Sequence, residues 1–100
     1  MIKVYHAINP TFHVGEVVGL MKLSEFYHVA DVATNDLDYA YMLTNSIDSN
    51  WWDNAPVTFK GSPQHGMDGC RSTSVGDVML LDGTYYVVAS CGFEVSIMNP

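Results

Sequence analysis

The side chains equipped for chemistry are spread thinly along the 100 residues: His6, His13, His28 and His65, Cys70 and Cys91, and the run Arg71-Ser72-Thr73-Ser74. Zinc sites need ligands at tight spacings such as Cys-x2-Cys or His-x3-His, and no pair here has one. Only His65 and Cys70 fall near each other, within a glycine-rich loop. His28 sits in an aromatic and β-branched run, where a hydrogen-bonded strand histidine is expected. No metal site and no cofactor is therefore expected. Cys70, Cys91, Ser72 and Ser74 are the candidate nucleophiles, for which any histidine could act as base in space. The chain has no Gly-x-Ser-x-Gly elbow, no recognisable carboxylate pair and no phosphate-cradling loop, so no catalytic residue is assigned. Arg71, Ser72 and Ser74 read two ways. They could hold an anionic ligand, or Arg71 could pair with Asp77 while the hydroxyls satisfy amides around a bend.

The elements that must position these groups follow from periodicity and turn chemistry. Asp82-Gly83 separates two apolar, strand-forming runs, 78–81 and 84–88, and suits a two-residue type I′ turn because glycine accepts positive φ. Gly76-Asp77 precedes the first run as a tight bend, and Gly92 marks a turn or bulge before a third strand, Phe93 to Ile97. These three strands form a C-terminal meander that curls toward a small open barrel. Residues 2–7 and 26–32 are expected to be strands and 57–59 a brief extended piece, and Asn9-Pro10 breaks the first strand. Residues 12–23 fit neither period and are expected to be a loop with short extended pieces. A helix is expected from Asp36 to about Ile47, capped by Thr34 or Asn35, with Leu37, Ala40, Tyr41, Leu43 and Ile47 on the packed face. Residues 61–69, rich in glycine, are expected to be a flexible loop. The whole is one α+β domain, a single helix on a small antiparallel sheet with a C-terminal β-meander.

Composition narrows the function classes. With 48% hydrophobic and only 15% charged residues the chain can bury a real core. So few charges point to a surface buried in a partner or in self-association. The net charge of −7 leaves four cations, Lys3, Lys22, Lys60 and Arg71, too few for a phosphate-binding face, so direct nucleic-acid binding is not expected. The carboxylates are dispersed rather than set at phosphate-like density, which favours docking onto a basic surface over mimicry of nucleic acid. No apolar run approaches the ~18 residues of a membrane span, and the start reads as a strand rather than a secretion signal, so a cytoplasmic protein with two thiols is expected.

One segment carries a resemblance. Arg71-Ser-Thr-Ser-Val-Gly-Asp-Val78, the Tyr85-Tyr86 pair and Gly92-Phe93 resemble the pattern of the YodL-like domain, and Tyr27 to Val32 with Leu37 to Trp52 resembles small phage proteins. The resemblance implies a phage or mobile-element origin and brings no catalytic residue with it. The expected function is that of a non-enzymatic accessory protein that binds, and in the stronger form inhibits, a host protein in the host cytoplasm. Trp51 and Trp52, adjacent after a helix, cannot easily both face one core. With the acids Asp48 and Asp53 they form the expected partner-binding surface, the alternative being that both wedge the helix end against the sheet. Two other functions remain open: a small-ligand binder or small enzyme using Arg71, Ser72, Ser74 and a histidine, and a self-assembling structural subunit.

Overall fold

The computed structural model describes residues 1–9, 20–46 and 50–99. Seven strands, β1 (Ile2–Ala7), β2 (Leu20–Lys22), β3 (Phe26–Val32), β4 (Val57–Phe59), β5 (Val78–Leu81), β6 (Thr84–Ala89) and β7 (Gly92–Asn99), join one helix, α1 (Leu37–Thr44). They form a single sheet in the order β2-β7-β6-β5-β1-β3-β4. Six strands are antiparallel neighbours, and β2 adds in parallel outside β7. The α+β class and the C-terminal meander, β5-β6-β7, are as the sequence implies. Asp82 and Gly83 take φ of 51° and 81°, the left-handed pair a type I′ turn requires.

The sheet cannot be flat. β2 and β3 lie five strand positions apart, about 24 Å across a flat sheet at ~4.8 Å per strand. Only a single 3₁₀ turn, Leu23–Glu25, joins them, and the chain from Lys22 to Phe26 spans at most about 14 Å. The sheet therefore curls until its ends approach. Its concave face gathers a small core: Tyr5, Phe26, Tyr85 and Met98 pack on Val78 and Val87, drawn from five strands.

The convex face carries the main core. Ile2, Val4, Val29, Ala30, Val32, Ala40, Trp51, Val57 and Met79 are buried there beneath α1 and the 51–73 connection. α1 is shorter than expected and is capped differently. Asp36 is the N-cap, its carboxylate accepting from the amides of Asp38 and Tyr39, while Thr34 accepts from the Asp36 amide. The helix stops at Thr44 because its last carbonyls find tertiary donors: the Asn54 side chain bonds the Leu43 carbonyl and the Thr73 amide bonds that of Thr44. Ile47, expected on the packed face, lies outside the described residues, as do residues 12–19 of the expected loop. The 61–69 segment, expected to be flexible, is folded back on itself by a pair of hydrogen bonds between Ser62 and Gly66.

Candidate functional site

Where β1 ends, the 70–77 bend crosses it and builds a buried polar cluster. The bend has one anchor, Asp77, which is 1% exposed and accepts hydrogen bonds from every direction. The Arg71 guanidinium grips it with two nitrogens, Nη1 to Oδ2 at 2.6 Å and Nη2 to Oδ1 at 2.7 Å. The amides of Ala7 and Ser74 donate to the same carboxylate at 2.9 and 2.8 Å. Arg71 also reaches the carbonyls of Ser72 and Ala7. A bidentate ion pair with both partners further hydrogen-bonded is the form in which a buried charge is tolerated.

Beside this pair lies an arrangement that resembles nucleophile chemistry. Cys70 Sγ is 3.3 Å from His6 Nδ1, and His6 Nε2 is 2.8 Å from Thr73 Oγ1. A thiol beside an imidazole oriented by a third group is the layout of an activated cysteine, but the electrostatics run the other way. Burial lowers the His6 pKa to about 4, with nearby Arg71 lowering it further against the opposing pull of Asp77. Burial likewise pushes the Cys70 thiol up to about 11. Near neutral pH no proton moves from sulfur to nitrogen, so the pair is a neutral hydrogen bond linking β1 to the bend. The contact joins residues 64 positions apart and had no spacing signature to betray it.

The ligand-binding candidates Arg71, Ser72 and Ser74 all belong to this cluster and are turned inward. Ser72 donates to the Ser46 carbonyl and Ser74 to that of Ser72, so the bend holds itself rather than presenting donors to an anion. Of the expected partner-binding residues, Trp51 is completely buried. Its indole donates to the Arg71 carbonyl at 3.0 Å, and its ring meets Trp52, Phe59 and His6. Trp51 is therefore the wedge between helix end and sheet, and cannot touch a partner in this state. Trp52 is half-buried, with Phe59 against its ring. Asp53 is exposed, and Asp48 lies outside the described residues. Of the described members of this set, the two tryptophans go to the core and Asp53 stays on the surface.

Cys70 and Cys91 are both free. Among the described residues no three of His, Cys, Asp and Glu gather as metal ligands, and no helix is long and apolar enough to cross a membrane. No known protein family matches the chain, and neither does any curated protein or solved structure.

Proposed function

We propose that this is a small non-enzymatic accessory protein, of phage or mobile-element origin, that docks onto a host protein in the host cytoplasm. One observation carries the reading. On β7, Val95 and Ile97 stand 63% and 68% exposed on the same sheet face that α1 covers only as far as Phe93. Tyr86 lies across from Val95 in register, and Tyr39 and Met42 are exposed on the helix. A contiguous apolar patch, unlike single scattered apolar side chains, marks an interaction surface, and Val95, Ile97 and Tyr86 are neighbours on this face. The net charge of −7 suits a partner whose contact face is apolar at its centre and basic at its rim. The resemblance of 71–78 to the YodL-like pattern supports the origin.

The test is affinity purification of the tagged protein from bacterial lysate beside the double variant Val95→Lys/Ile97→Glu. A host protein held in stoichiometric amount by the native chain and lost by the folded variant is the expected result. A column that recovers the same material from both, or nothing from either, would sink the proposal. If instead light scattering finds an oligomer that the same variant dissolves, the protein is a self-assembling subunit.

A further inference from the structure

The concave face has its own polar group, distinct from the 70–77 cluster. Tyr5 and His28 stack with ring centroids 5.1 Å apart, and the Tyr85 ring tilts against Tyr5 at 6.2 Å. His28 Nε2 is 2.7 Å from Asp31 Oδ1, and Lys60 Nζ is 3.8 Å from the other oxygen of that carboxylate. Lys3 pairs directly with Asp31 in the sheet register, so its side chain leaves on the same face. A bulge makes this grouping. Residues three apart on a regular strand point to opposite faces, but Val29 is skipped in the pairing of β3 with β1, which returns His28 and Asp31 to one side.

Charge is unevenly placed here. Lys60 lies against Asp31, and a second of the four cations, Lys3, is the register partner of that carboxylate's strand position. The other strand carboxylate on this face, Glu94, lies opposite Val87 on β7, three strands from Tyr5. It shares the register row of Val87, Val78 and Tyr5, not that of Ser96, Tyr85, Leu80 and Lys3. The mouth of the half-barrel is thus a local cationic spot beside a row of three aromatic rings, over a floor of Val78 and Val87.

We propose that this mouth binds a small anion carrying a planar ring, of the nucleoside monophosphate class. Lys3 and Lys60 take the phosphate, and the Tyr85–Tyr5–His28 row offers a surface to the base. Asp31 holds His28 and Lys60 in place and accepts from a sugar hydroxyl. The assignment is independent of the host-protein reading, because Val95 and Ile97 lie on the opposite face of the sheet.

The experiment is NMR titration of the full chain with the four nucleoside monophosphates, with the matching nucleosides and with inorganic phosphate, at low salt. At least one monophosphate should shift the Tyr5, His28 and Tyr85 signals and bind about tenfold or more tighter than either fragment, a difference of roughly 1.4 kcal/mol. The Lys3→Gln/Lys60→Gln variant should lose that binding while keeping its unfolding midpoint and any captured host protein. Equal response to phosphate alone, no response at millimolar monophosphate, or undiminished binding by the folded variant would each overturn the assignment.

Discussion

His6 is neutral because its ring is buried between Trp51 and the 70–77 bend, and that has a consequence for acid stability. In the unfolded chain a histidine titrates near 6.5, whereas folded His6 titrates at about 4. The unfolded state therefore takes up the proton first as pH falls. The stability linked to His6 is complete above about pH 6.5 and drains away toward pH 4, by on the order of 3 kcal/mol. Urea denaturation across this range should show a stability that climbs with pH, and His6→Gln, less stable at pH 7, should flatten that climb. An unchanged slope in the variant would show that other groups carry the acid sensitivity. At Asp77 the prediction concerns the ion pair itself and is of similar size. Asp77→Asn loses the charge that holds Arg71 and weakens two backbone hydrogen bonds, which should cost about 3 kcal/mol at pH 7 in the same measurement. The pairing of Arg71 with Asp77 was legible, since a bend with an Arg and an Asp six residues apart invites it. The inward turn of Ser72 was not, because it depends on where the Ser46 carbonyl lies.

The turn between β5 and β6 is the element most fully written in local chemistry. Both central residues have positive φ, and only glycine adopts that region without a steric penalty. Gly83→Val should lower stability by about 1–2 kcal/mol in thermal denaturation, whereas Asp82→Gly should be close to neutral; equal costs would mean that the turn side chain, not its backbone, matters. Strands were recoverable from apolar, aromatic and β-branched runs: Ile2–Ala7 and Phe26–Val32 fall where these put them, and the extended piece at 57–59 is the strand Val57–Phe59. The helix was recoverable in place but not in length. Its start is a local matter of which side chain reaches the free amides, and three neighbouring candidates compete for it. Its end is set by Asn54 and Thr73, which arrive from distant parts of the chain.

For the molecule as a whole, the short β2–β3 connection forces the sheet to curl, and the curl splits the interior into two cores on opposite faces. The two thiols report on this arrangement. Cys91 is exposed in the turn between β6 and β7, while Cys70 is half-buried against His6 with its thiol pushed up to about 11. With iodoacetamide at pH 8, Cys91 should label quickly and Cys70 about a hundredfold more slowly or worse, with the two rates converging in denaturant. Comparable rates in the folded protein would mean that the 70–77 bend opens freely.

The amino-acid sequence by itself determined the class of fold, the meander and the hairpin turn, because each depends on residues near one another in the chain or on composition alone. Tertiary structure decided everything that depends on which face a side chain takes. It sent Trp51 inward, joined Cys70 to His6, and used one bulged residue to set His28 and Asp31 side by side. Those outcomes turn on sheet order and register, and strands distant in sequence settle these only when they close the curl together.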